Sequence, residues 1–148
     1  MRTYDVIVIG SGSGSKITRP AANLGFKVAV IEESEWGGTC LNKGCIPSKM
    51  LIHPADVASE IQEASKYGLK VSGDISIDYE SLVKRVTQTV REDSESIPPL
   101  YENHANIDHY HARAEFVSDK VISVDGQEMT AEKIFITAGA RANRPNIQ

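Results

Sequence analysis

The stretch "YDVIVIGSGSGS", residues 4–15, joins a β-branched apolar run to a tract in which glycine alternates with serine. A short apolar run that ends in glycine has the form of a buried parallel strand. The residues after it read as a helix to about Leu24–Gly25, with Pro20 inside it and expected to kink or shorten it. "KVAVIEE", residues 27–33, is a second apolar strand. Strand, glycine turn, helix and strand within about thirty residues make a βαβ crossover. The expected fold class is therefore α/β, with a Rossmann-like βαβ unit and a parallel sheet.

The same tract carries the pattern of a dinucleotide turn. Such a turn needs one glycine for tightness, a second for close backbone approach to a pyrophosphate, and a small residue where helix meets strand. Gly10 and Gly12 fill the first two places and Ser15 the third, where glycine or alanine is usual. The helix that follows offers free N–H groups and a positive dipole end to phosphate. An acid is expected roughly twenty residues on, and Glu32 stands at the end of the second strand, placed to accept from ribose hydroxyls. A bare glycine-rich loop is more often a plain turn; here strand, glycines, helix, second strand and acid agree.

Further along, residues 45–66 read as a helix with Met50, Leu51, Val57, Ala58 and Ile61 at helical spacing, interrupted and bent by Pro54. Another helix runs from about Asp78 to His104, broken near "IPP" at 97–99. Beyond it the pattern alternates, and Asp125-Gly126 marks a hairpin between "KVISV" and "QEMTA". "KIFITAG", residues 133–139, returns as a buried strand that ends in small residues. No repeat, low-complexity segment or linker divides the 148 residues, so a single domain is expected.

Composition narrows the function. Apolar content of 41% and charged content of 24% are ordinary for a globular protein. The net charge is −4, and no basic stripe exists to follow a nucleic-acid backbone. The longest apolar run is far short of a membrane span. No signal peptide is apparent, and a cytoplasmic location follows by default.

Both cysteines lie in "EWGGTCLNKGCIPSKM", residues 35–50, as Cys40 and Cys45. A structural disulfide closing so short a loop would gain only about 2 kcal/mol from chain entropy, in a compartment where thiols stay reduced. A zinc site needs about four ligands, and none of the four histidines is paired in spacing with the cysteines. Two inert buried thiols are a third reading. The fourth is a redox-active pair, because Cys45 opens a helix whose dipole would favour a thiolate. Pro47 suits a first turn, and Gly37, Gly38 and Gly44 permit close approach by a flat cofactor or a substrate thiol. Lys49, one turn past Cys45, could steady negative charge, or could simply be an exposed helical lysine.

"GGTCLNKGCIPSK" closely resembles the redox motif of the class I pyridine nucleotide–disulfide oxidoreductases, flavoenzymes that include dihydrolipoamide dehydrogenase and mycothione reductase. The glycine turn, Glu32, the hairpin region and the closing "IFITAGAR" follow in that family's order, so the resemblance spans essentially the whole chain. It implies an FAD-binding domain over residues 1–148, with an antiparallel β-meander crossover. Gly10, Gly12 and Ser15 would then hold the FAD pyrophosphate, and Glu32 the adenosine ribose. Gly38 and Thr39 would lie along the cofactor and Lys49 near the flavin ring. The backbone at Arg113 and Ala114 would meet adenine, and Ala138 and Gly139 the cofactor again. Cys40 would be the interchange thiol and Cys45 the flavin-side thiol of a redox disulfide, passing electrons between a small dithiol or disulfide substrate and NAD(P)H.

The resemblance also has departures: Ser15, the two prolines inside helices, and Ala142 where the family often has proline. Members of that family are much longer, with nicotinamide and dimerisation domains that have no counterpart here. The expectation is a segment of a homodimeric parent enzyme, inactive by itself, with each of the four histidines a surface or loop residue. Among substrates, a dihydrolipoamide dehydrogenase-like assignment is favoured, with mycothione or another low-molecular-weight disulfide next and a non-catalytic FAD-binding fragment as the remaining alternative.

Overall fold

The computed structural model describes residues 1–147. Strand β1 (Arg2–Ile9) leads through the glycine turn into helix α1 (Ser15–Asn23) and strand β2 (Val28–Glu32). The short helix α2 (Gly38–Asn42) and the long α3 (Cys45–Gln62) follow, then a single 3₁₀ turn at Ala64–Tyr67. Helices α4 (Tyr79–Glu95) and α5 (Ile97–Glu102) precede strands β3 (Ile107–His111), β4 (Ala114–Ser118), β5 (Val121–Val124) and β6 (Gln127–Ile136).

The six strands form one sheet in the order β3-β2-β1-β6-β5-β4. The first four run parallel, β1 lying between β2 and β6, and β4 and β5 are antiparallel additions. This is the expected Rossmann-like α/β fold with an antiparallel meander. The β-branched run of β1 is buried because it lies inside the sheet: Ile7 and Val8 are fully inaccessible, as are Val28, Ala29 and Val30 beside them. On one face Tyr4, Ile7, Ile31, Ile122 and Met129 pack together. On the other, Val6, Val8, Val28 and Val30 meet Ala22 of α1, Trp36 and Tyr101.

The hairpin falls at Asp125-Gly126, both with positive φ (50° and 76°), as a tight hairpin turn of this type requires. The helical break before "IPP" is also found, at Ser96 between α4 and α5.

Several expectations need correction. Pro20 and Pro54 interrupt neither helix: α1 runs through the first and α3 through the second. A proline withdraws one N–H donor but keeps its carbonyl, and the Pro20 oxygen still accepts from Leu24 N at 3.1 Å. The second helix stops at Gln62 rather than 66. Its apolar positions do keep the expected helical spacing, and α3 has no buried residue. "KIFITAG" is the outer half of β6 and not a buried strand, with Ile136 67% exposed. The reason lies in pairing: β5 covers β6 only from Gln127 to Thr130, so β1 is the one strand beside Lys133–Ile136. Among the described residues, no helix is long and apolar enough to cross a membrane.

Candidate active site

The glycine turn is fixed from both sides. Gly10 N–H donates to the Ile31 carbonyl at 2.7 Å, and Thr137 Oγ1 donates to the carbonyls of Ile9 and Gly10 at 2.9 and 2.8 Å. Gly10 has φ +100°, and a Cβ there would overlap the Thr137 carbonyl, so no other residue fits. The tight helix-to-strand contact belongs to Gly14 rather than Ser15. A Cβ on Gly14 would lie 2.5 Å from Val8 Cγ1 and 2.6 Å from Thr137 Oγ1 and would overlap the Gly10 carbonyl. Ser15 instead turns its hydroxyl back to the Gly12 carbonyl at 2.8 Å, so its extra oxygen is satisfied rather than crowded. Gly14 went unassigned in the sequence reading, although the third glycine of "GSGSGS" is its signal. None of the hydrogen bonds among the described residues uses the N–H groups of Gly12, Ser13 or Gly14. They stand at the N-terminal end of α1, where the helix dipole is positive.

Glu32 closes the other side of the turn. One carboxylate oxygen accepts from the Ser11 N–H at 2.9 Å and from Ser11 Oγ at 2.7 Å, and the other accepts from Ser34 N–H at 3.0 Å. Ser11 is itself buried and receives the Gly37 N–H at 2.9 Å. It was missed in the sequence because the variable position of a G-x-G pattern carries no signal of its own.

Through Ser11 the turn is tied to the cysteine segment. Gly37 and Gly38 have φ of +97° and +66°, and a Cβ on Gly38 would come within 2.6 Å of Gly12 Cα. Helix α2 therefore starts in contact with the glycine turn. Its last residue, Asn42, donates to the carbonyls of Trp36 at 2.9 Å and Gly38 at 3.0 Å. Ser94 of α4, also buried, donates to the same Trp36 carbonyl at 2.8 Å. Cys40 on α2 and Cys45 at the start of α3 form a disulfide, with Cα atoms 4.8 Å apart. Both half-cystines are exposed. Among the described residues no group of histidine, cysteine or acidic side chains could hold a metal ion.

The remaining predicted site residues are less tightly joined. Thr39 and Lys49 are exposed. Ala138 lies against the turn, its nitrogen 3.0 Å from where a Gly10 Cβ would stand, and Gly139 follows with φ +77°. Arg113 is paired with Glu115 at 3.3 Å, and Ala114 opens β4 opposite Val124. Among the described residues no hydrogen bond links Arg113 or Ala114 to the glycine turn. His109 departs from the expected surface or loop placement, being half-buried on β3, whereas His111 at the end of that strand is exposed as expected. His109 and His111 lie on β3 with their rings edge-on to Trp36, at centroid distances of 5.7 and 6.0 Å.

Comparison with known proteins agrees with this architecture. Residues 4–148 match the family described as pyridine nucleotide-disulphide oxidoreductase. The dihydrolipoyl dehydrogenase of Chlamydia muridarum is 35% identical over 141 residues, covering 93% of this chain and 30% of that protein. The mycothione reductase of Mycobacterium tuberculosis is 36% identical over 149 residues, covering 95% and 32%. The HOCl-induced flavoprotein disulfide reductase RclA of Escherichia coli superposes with a TM-score of 0.79 at 31% identity, covering 97% of this chain and 30% of that one. The chain thus spans less than a third of the length of these relatives. With the family matched over nearly all its residues, this chain belongs to the pyridine nucleotide-disulphide oxidoreductases.

Proposed function

We propose that residues 1–148 are the FAD-holding domain and redox disulfide of a flavoprotein disulfide oxidoreductase. The observation that carries this is the contact of Gly38 with Gly12, which joins the start of the short helix carrying Cys40 to a dinucleotide-type turn while the disulfide stays exposed. The turn suits FAD on its own chemistry. Free N–H groups at Gly12, Ser13 and Gly14 meet the needs of a pyrophosphate. The Gly12–Gly38 approach leaves no side chain between turn and cofactor. Gly10, Gly12 and Ser15 hold the pyrophosphate side in this reading, with Glu32 at the ribose, Arg113 and Ala114 at adenine, and Gly38, Thr39, Lys49, Ala138 and Gly139 along the remainder. When bound, FAD supplies the two-electron link between the dithiol and a nicotinamide.

The protein's own chemistry is thiol–disulfide exchange. A substrate thiolate attacks Cys40 Sγ, which breaks the Cys40–Cys45 bond and leaves Cys45 as a thiolate at the start of α3. The second substrate thiol attacks the substrate sulfur of the mixed disulfide and frees Cys40. The substrate loses two electrons and two protons and becomes a disulfide, and the cysteine pair is reduced. Reductases run the same path backwards. The substrate is a small dithiol or disulfide of the dihydrolipoamide type, the compound named in several similar proteins, with the parent a cytoplasmic homodimer. The mycothione reductase match at 36% identity supports a low-molecular-weight disulfide as the second reading.

The test is to incubate the full chain with FAD, desalt it and record the visible spectrum. A retained flavin band that disappears in Gly14→Val supports the assignment. A colourless protein with an intact fold would refute cofactor binding by these residues alone.

A further inference from the structure

Within the loop closed by the disulfide, "CLNKGC", there is a single charge, Lys43. Its side chain is 69% exposed, and among the described residues its one side-chain partner is Glu35 at 3.4 Å, itself 57% exposed. So exposed a pair is weak and exchanges readily with solvent and solutes. Glu35 stays ionised, its carboxyl held below the ordinary range first by a backbone hydrogen bond and then by Lys43. Beside the loop opens a cleft of about 650 Å³, with Lys43 at its lip and Trp36, Val86 and Val90 among its lining. Lys43 is thus shared between the disulfide loop and this cleft, which neither cysteine lines.

We propose that Lys43 sorts small disulfides by charge, favouring those that carry carboxylates, and that Glu35 sets the strength of that preference. This rests on the reading of Cys40–Cys45 as the reacting pair. Lys43 is three residues from Cys40 and two from Cys45, so an anionic group on an incoming disulfide comes within about a Debye length of the ammonium. A unit charge at about 8 Å in water changes encounter by about two- to threefold per ligand charge. An effect of Lys43 on the thiolate itself would alter every exchange partner alike and cancels from the ratio of their rates. Only charge sorting moves that ratio.

The experiment uses the full chain, reduced with dithiothreitol and desalted. It is then mixed with dithiodiglycolate (dianionic), hydroxyethyl disulfide (neutral) or cystamine (dicationic). Each step oxidises the cysteine pair and releases two thiols from the probe. The expected result is that Lys43→Met lowers the dianion-to-neutral rate ratio by about four- to ninefold, that Lys43→Glu inverts the order of dianion and dication, and that Glu35→Gln raises the ratio. High salt should collapse these differences. A ratio unmoved by both Lys43→Met and Glu35→Gln overturns the inference while leaving the disulfide assignment standing. Failure of exchange with all three probes overturns the disulfide assignment, and the inference with it.

Discussion

Gly38→Ala tests the central contact of the site. Two costs apply. Gly38 sits at φ +66°, where a side chain costs about 1–2 kcal/mol. The new Cβ would also lie 2.6 Å from Gly12 Cα. That atom is backbone and cannot rotate away, so overpacking adds about 1–3 kcal/mol. The expected loss is about 2–5 kcal/mol, a large share of the roughly 5–15 kcal/mol that holds a domain together. Gly68→Ala is the control. Its φ is +74° with nothing within 4 Å of the added Cβ, so it should lose only the conformational part, about 1–2 kcal/mol. Urea unfolding followed by Trp36 fluorescence gives both values, and with a slope of about 1–3 kcal/mol per molar the two midpoints separate clearly. If Gly38→Ala costs no more than Gly68→Ala, the turn and the disulfide segment do not touch as described, and the proposed seat for the cofactor falls with that contact.

Three other outcomes are expected. Ser94→Ala and Asn42→Ala each remove one donor from the Trp36 carbonyl and should cost about 1 kcal/mol. The double variant should depart from additivity by at least about 0.5 kcal/mol in the same urea assay. Tyr4 is held protonated above the usual tyrosine range, first by burial and then by hydrogen bonds to Asp108 and Tyr110. Because its folded value lies above the unfolded one near 10, its contribution is complete below that pH and drains away above it. Tyr4→Phe should therefore flatten the alkaline fall in stability, read from melting temperatures across pH. Glu32→Gln faces an NH₂ group toward Ser11 or Ser34 donors and should cost about 1–3 kcal/mol, with loss of flavin in the desalting assay.

The parts of the fold visible in the sequence were those where a local pattern carries its own physics. β1, the glycines and β2 were legible because β-branched runs, a tight turn and a terminal acid occur together. The 125–126 turn was legible because two positive φ angles call for Asp-Gly. Helix α2 was not, since Gly37 and Gly38 read as breakers until their left-handed angles are known to start it. Helical spacing located α3, yet spacing cannot tell a covered face from an open one. Position counting chose Ser15 over Gly14, because a fingerprint counts residues and does not measure where a Cβ would stand. The Ser11–Glu32 and Asn42–Trp36–Ser94 connections join residues up to 58 apart, which no local window can pair.

The place of β1 between β2 and β6 also bears on how the chain folds. Ile9 pairs with Ile136, so the innermost strand meets one of its two neighbours across most of the sequence. On the ribosome, β1, α1 and β2 can assemble early, but the flank of β1 stays bare until residues 127–136 emerge. Closing so long a span is entropically slow. Because Thr137 also latches the turn at Gly10, the phosphate cradle should take its final form only in that late step. The nascent chain would thus carry an exposed apolar strand edge until residue 136 has emerged, a natural point for a chaperone to intervene.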